Sequence, residues 1–179
     1  PFVSAADFGY DPYAATPFFR EALYALIYGT TPGPTTITGQ FSGGSLLFPF
    51  NDDESFREGS VINVRDYLGN YARTFGQRVP ASCNARAIRA WLAGTNAGRG
   101  WMFDALGGSG DPADITSLPL DYYAPGAAVL YSRSGHDANA MEVHVQLGPP
   151  GGVEHRHRDA GNFQVWRKGR WLTRESVGY

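Results

Sequence analysis

The sequence predicts an α+β protein in which helices come first and antiparallel strands come last. Through the first two-thirds of the chain, apolar residues recur every three to four positions; after "DYYAPG" the period changes to two. Strands and helices do not alternate as they would around a parallel sheet, so two segregated layers or domains are expected, 1–124 and 125–179, meeting near Pro125. With 179 residues and 42% hydrophobic content, the chain has the material for a core.

In order along the chain, Thr16 supplies an N-cap and Pro17 a favoured first helical residue. The run "FFREALYALIY" then places Phe19, Leu23 and Ile27 on one helical face, and Gly29 stops it. "TTPGPTTITGQFSGGSLLFPFNDD" is too rich in Gly, Pro and Thr for regular structure and reads as a long loop. Val64, Tyr67, Leu68, Tyr71 and Phe75 mark a second helix ending at Gly76, and a third starts at Ser82 with Ile88, Trp91 and Leu92 inward. A short fourth spans about 100–106. "AAVLYSRS" is a strand, and in "MEVHVQLG" Met141, Val143, Val145 and Leu147 share one face. "NFQVWRKG" and "RWLTRES" form a hairpin about Lys168 and Gly169. By the same alternation His144 points outward, a surface or locally hydrogen-bonded histidine, and His136 in "SGHDAN" is read likewise.

Several function classes are disfavoured by composition. A net charge of −2 creates no field for nucleic acid, and no apolar run approaches the roughly 20 residues that span a bilayer. The single Cys83 excludes an internal disulfide and a thiolate zinc cluster, and reads as a small buried hydrophobe. Four Trp, ten Tyr and eleven Phe are plentiful, and aromatic faces stack on sugar rings as well as filling cores.

The densest chemistry is in "GGVEHRHRDAGNF", residues 151–163. In an extended segment His155 and His157 point the same way, so they can share a metal or divide labour between metal binding and proton transfer. A polar loop is the third possibility. Familiar metal layouts fit incompletely. The cupin pattern wants a glutamate a few residues after H-x-H, whereas Asp159 follows sooner and Glu175 much later. The binuclear-hydrolase pattern H-x-H-x-D-H lacks its last histidine, because Ala160 stands there, and an oxygenase triad from His157 and Asp159 finds no later histidine.

A longer stretch, "GAAVLYSRSGHDANAMEVHVQLGPPGGVEHRHRDAGNFQVWRKGRWLTRESVGY", resembles the start of the β-sandwich in heparinase II/III-like polysaccharide lyases, a group that includes oligoalginate lyases. The shared elements are a strand ending in "RSG", a second strand, a glycine-rich loop, HxHxDxxxF, and a hairpin leading to an acidic residue before G-Y. Upstream, "AATPFFREALYAL" and "FPFNDD" resemble the last helices of the (α/α) toroid that precedes that sandwich. The resemblance thus implies the C-terminal helices of an (α/α) toroid followed by the first strands of an antiparallel β-sandwich. It also implies that the 179 residues are a piece of a longer polypeptide, which supplies the remaining helices and strands.

What the resemblance implies for chemistry is β-elimination at a uronic acid. A base removes the C5 proton, the neighbouring carboxylate is neutralised, and an acid protonates the O4 leaving group. His155 becomes the cleft histidine, and Tyr10, in "FGYDPYAAT", the toroid tyrosine that serves as acid. His157 and Glu175, where aspartate is usual, become ligands of a bracing, structural zinc whose remaining ligand lies outside this chain. Asp159 suits orienting a histidine by hydrogen bond. Arg156, Arg158 and Tyr13 are the substrate-binding candidates, and Arg156, Arg158, Arg167, Lys168, Arg170 and Arg174 fall within 19 positions, which suits an anionic glycan. The expected partners are an anionic polysaccharide or oligosaccharide and the rest of the polypeptide, in a periplasmic or secreted setting. Two rival readings are a non-catalytic glycan-binding member of the same fold and a metal-dependent hydrolase or oxygenase using the HxHxD cluster.

Overall fold

The computed structural model describes residues 8–11, 15–36, 45–48, 115–148 and 160–174. Helix α1, Phe18–Tyr28, begins one residue later than the sequence places it, with Pro17 at the N-cap and not in the first turn; the Phe18 amide donates to Thr16 Oγ1 at 3.2 Å, and the helix gives way at Gly29. Ile27 and Tyr28 are buried at its C-terminal end, while Phe18 is exposed. The three helices expected beyond residue 60 lie outside the described residues.

In its described parts, 30–36 and 45–48, the segment after α1 is irregular, as its composition predicts, yet largely buried. Thr30, Thr31, Thr35, Ser45, Leu46 and Phe48 are all buried. Buried backbone needs partners, and the two short stretches supply them to each other: Thr31 N donates to Leu46 O at 2.7 Å, Phe48 N to Gly29 O at 2.9 Å, and Leu46 N to Thr31 Oγ1 at 2.8 Å. The Thr31 hydroxyl serves this backbone twice, since it also donates to Gly33 O at 3.0 Å.

After a 3-10 turn at Ile115–Ser117, five strands follow: β1 Asp121–Ala124, β2 Val129–Arg133, β3 Met141–Gln146, β4 Phe163–Arg167 and β5 Arg170–Thr173. They form one antiparallel meander in the order β1-β2-β3-β4-β5. The expected strands are all present, and Asp121–Ala124 joins them ahead of Pro125. At the β4–β5 turn Lys168 and Gly169 have φ of 48° and 80°, the pair of positive values that a two-residue type I′ hairpin requires.

Register sorts the side chains into two faces. One face carries the rows Arg133–Glu142–Trp166–Trp171 and Tyr122–Tyr131–His144–Gln164. The other carries Tyr123–Leu130–Val145–Phe163 and Ser132–Val143–Val165. The first face is the buried one, with Glu142, His144, Gln164 and Trp166 each at 2% exposure or less. Met141, Val143, Val145 and Leu147 do share a face, but they look away from the covered side, with Met141, Leu147 and Phe163 exposed. The outward placement expected for His144 is therefore corrected. The physical reason is that α1 and residues 29–36 and 45–48 pack on the polar-aromatic side of the sheet, and hydropathy alternation along β3 cannot say which side is covered.

The core lies at that junction. Leu46, Phe48 and Trp166 pack together with Trp171 against them, joined by edge-to-face contacts of Phe48 with Trp171 and of Trp166 with Trp171 at centroid separations of 4.8 and 5.0 Å. Such pairs contribute about 0.5–1.5 kcal/mol each beyond the area they bury.

Candidate functional site

The histidine-rich segment is the connection between β3 and β4. His155, Arg156, His157, Arg158 and Asp159 lie outside the described residues, but both stems of their connection are fixed. Gln146 N donates to Asn162 O at 2.9 Å and Gly161 N to Gln146 O at 2.8 Å, so the two ends of the connection are held side by side. Leu147 N donates to Ala128 O at 2.7 Å, and Gln146 Nε2 to Ala127 O at 3.1 Å, which locks these stems to the β1–β2 turn. Because β5 runs back along β4, its end returns to the same side: Thr173 Oγ1 donates to Phe163 O at 3.3 Å, next to the β4 stem. Arg174 follows there, and Glu175 comes next in the chain, outside the described residues.

The basic residues that lie within 19 positions in sequence divide accordingly. Arg167, Lys168 and Arg170 sit at the far end of the β4–β5 hairpin, roughly 17 Å from the β4 stem at about 3.3 Å per strand residue. There they are exposed, and Arg170 Nε donates to Thr36 Oγ1 at 3.3 Å. Of the four that are described, Arg174 is the one placed at the end that carries the histidine connection; Arg156 and Arg158 belong to that connection and lie outside the described residues. Tyr10 is described and exposed, with a turn bonded Ala15 N to Asp11 O at 3.0 Å between it and α1. Tyr13 lies outside the described residues.

Under the sheet is a titratable layer that sequence reading missed. Arg133 reaches the C-terminal end of α1, where four carbonyls lack helical partners; its Nη2 donates to the oxygens of Ile27, Tyr28 and Thr30 at 2.7, 3.1 and 2.7 Å. Its guanidinium carbon stands 5.2 Å from the Tyr28 ring centroid, and Nε lies 3.0 Å from Glu142 Oε2. That last contact is an ion-pair approach without hydrogen-bond alignment, so neither carboxylate oxygen gains a directed donor. Burial dominates Glu142 and pushes its pKa up to about 8 despite Arg133. The arginine's charge is thus met chiefly by the carbonyls and negative dipole end of α1.

His144 lies against Tyr131, ring centroids 5.2 Å apart and nearly parallel, and edge-on to Phe48 at 5.4 Å. Gln164 Nε2 faces its Nδ1 at 3.2 Å. Donation from the amide leaves the ring proton on Nε2, for which no acceptor exists among the described residues. Burial lowers its pKa to about 4, so the ring is neutral. The stack continues through Tyr131, Tyr122 and Tyr28. Burial raises the phenols of Tyr28 and Tyr122 to about 12, the latter aided by Glu21, and raises Tyr131 further. All three keep their protons; Tyr28 donates to Pro119 O at 2.6 Å and Tyr122 to Glu21 O at 3.1 Å. His136, half-buried, sets Nε2 3.0 Å from Leu118 O, which requires its proton on that nitrogen. The sequence signal for this layer was present in the second alternation of each strand: Tyr131 and Arg133, Glu142 and His144, Gln164 and Trp166 run in phase.

Among the described residues no three His, Cys, Asp or Glu side chains gather as a metal site, and no helix is long and apolar enough to cross a membrane.

No protein-family model and no curated protein matches the chain. Among solved structures, the crystal structure of heparinase III is similar: TM-score 0.55, 18% sequence identity, covering 89% of this chain. The chain spans 21% of the length of that structure. The likeness is one of fold, and it extends beyond the sheet into the preceding residues.

Proposed function

We propose that this chain is the junction piece of a polysaccharide lyase that cleaves a uronic-acid-containing anionic glycan, of the glycosaminoglycan or alginate type, by β-elimination. The observation that carries the reading is the convergence of stems: the connection bearing His155 and His157 and the end of β5 leading to Glu175 leave the sheet at one side. The heparinase-like fold supports the substrate class. In this reading His155 handles the C5 proton, Tyr10 protonates the O4 leaving group, and Arg156, Arg158 and Tyr13 receive the anionic sugar, with Asp159 orienting a histidine. The elimination breaks C5–H and C4–O, forms the C4–C5 double bond, and needs no redox partner.

Zinc enters the proposal only as a brace. His157 and Glu175 offer two donors, structural zinc takes four, and the remaining ligands are proposed to come from the rest of the polypeptide; no step of the elimination uses it. The remainder of the longer polypeptide is proposed to supply what is missing, in the periplasmic or secreted setting where such polymers occur. The test is to incubate the full-length protein with heparin, heparan sulfate, hyaluronan and alginate, and to follow ultraviolet absorbance of the unsaturated uronate. Rising absorbance with one of them is expected. Binding without any rise would replace the lyase with a glycan-binding module, and activity lost immediately on chelation of a still-folded protein would favour metal-centred hydrolysis or oxygenation.

A further inference from the structure

We infer that Arg133 is a positioning residue: anchored on β2, it grips the C-terminal end of α1 and fixes the helix, and the segment with Tyr10 before it, relative to the sheet end that carries the His155 connection. The inference rests on the proposed elimination, which needs a proton acceptor and a proton donor from two different parts of the chain. Reacting groups must stand within a few tenths of an ångström of a productive geometry, and a misplacement of about 1 Å costs on the order of 100-fold.

The contacts meet that demand at one point. Tyr122 and Tyr28 also tie α1 to the sheet side, through Glu21 O and Pro119 O, but each is a single hydroxyl on the flank of the helix. Arg133 Nη2 engages the last two helical carbonyls, those of Ile27 and Tyr28, together with Thr30 O just beyond the helix, and its guanidinium carbon stands over the face of Tyr28, so one side chain holds the helix end at several points. A stability role alone would not call for a guanidinium here, since well-packed apolar replacements of buried ion pairs are often neutral or stabilising. All three bonds leave the single Nη2 nitrogen, whose two N–H groups are fixed in the guanidinium plane and shared among the three carbonyls, whereas a lysine ammonium turns freely on a flexible stem and sets no such plane.

Two readouts on the full-length, zinc-loaded protein test this. Arg133→Lys and Arg133→Met are assayed well below their melting temperatures, and kcat is expected to fall roughly 100-fold while KM moves less than about 3-fold. Spin labels on Ala15→Cys and Asn139→Cys, both exposed, in a background with Cys83 and any other cysteine replaced, are expected to give a narrow distance distribution that broadens in both variants. Wild-type kcat in a variant with reduced melting temperature overturns the inference, because it makes the clamp purely structural. So does an unchanged distance distribution, whatever the activity. If the parent protein cleaves none of the four glycans yet the distribution broadens, the clamp stands and the lyase reading falls.

Discussion

At the scale of single residues, Glu142 and His144 sit two positions apart on one strand and are displaced in opposite directions by the same cause, burial. Glu142 keeps its proton in the folded state up to about 8 but releases it near 4.5 when unfolded, so its contribution to stability is full below 4.5 and lost as pH rises to about 8. His144 stays neutral when folded down to about 4 but charges near 6.5 when unfolded, so its contribution is full above 6.5 and lost as pH falls to about 4. Between 4.5 and 6.5 the two slopes oppose each other, and a plateau of melting temperature is expected there, falling on both sides. Calorimetry across pH 3–9 checks it: Glu142→Gln should flatten the alkaline flank and His144→Gln the acid one, each by an amount on the order of 5 °C. The paired histidines follow a different logic. His155→Ala is expected to lower turnover by roughly 100- to 10,000-fold with melting little changed, whereas His157→Ala should lower both melting temperature and zinc content; the opposite pattern in kinetics and metal analysis would reverse the assigned roles.

At the scale of elements, the helix and the four strands after Pro125 were legible because their signals are local. Thr16 accepts from the Phe18 amide just ahead of α1, Gly29 ends the helix, and Lys168-Gly169 turns the hairpin, all by short-range chemistry. Which side of β3 is covered was not legible, because that is decided by α1 and residues 29–36 and 45–48, more than 90 positions upstream, and because Met141, Val143 and Val145 make the open side look like a core. The candidate site is legible in the sequence as a histidine-rich segment whose residues lie outside the described ones, and the division of the described basic residues between two ends of a hairpin depends on strand direction, which spacing in sequence hides. The β4–β5 turn also carries a tertiary lock. Thr35 and Thr36 hydroxyls and the Thr36 amide all donate to Gly169 O, at 3.2, 3.3 and 2.9 Å. A Cβ at Gly169 would stand 2.6 Å from Thr36 Cγ2 and 2.9 Å from Thr36 N, at a φ of 80°. Gly169→Ala is therefore expected to cost roughly 1–3 kcal/mol in urea unfolding, while Lys168→Asn, a residue that tolerates the left-handed region, should stay within about 0.5 kcal/mol. Equal effects at the two positions would show that the turn is not held from outside.

At the scale of the molecule, the sheet has one covered face and one that carries Tyr123, Leu130, Val143, Val145, Phe163 and, from β5, Leu172. Tyr123, Phe163 and Leu172 are 50%, 54% and 62% exposed. In the proposed sandwich a second sheet from the longer polypeptide lies there, about 10 Å away face to face. Phe163→Lys with Leu172→Lys should accordingly act in opposite senses in two settings. In the 179-residue chain alone it should reduce self-association seen by sedimentation or light scattering. In the full-length protein it should lower stability by about 2 kcal/mol or more per site. Improved stability in the full-length protein would mean that this face meets water and that the second sheet lies elsewhere.

The grip of Thr35 and Thr36 on Gly169 joins positions 134 and 133 apart. A ribosome adding about 5–20 residues per second needs roughly 7 to 27 seconds to cover that interval, and through all of it the threonine-rich strap waits for the hairpin tip that will satisfy it. Quality of biogenesis for this protein should accordingly hinge on a guardian, a chaperone or a slow local collapse, that shields Leu46 and Phe48 until Trp166 emerges.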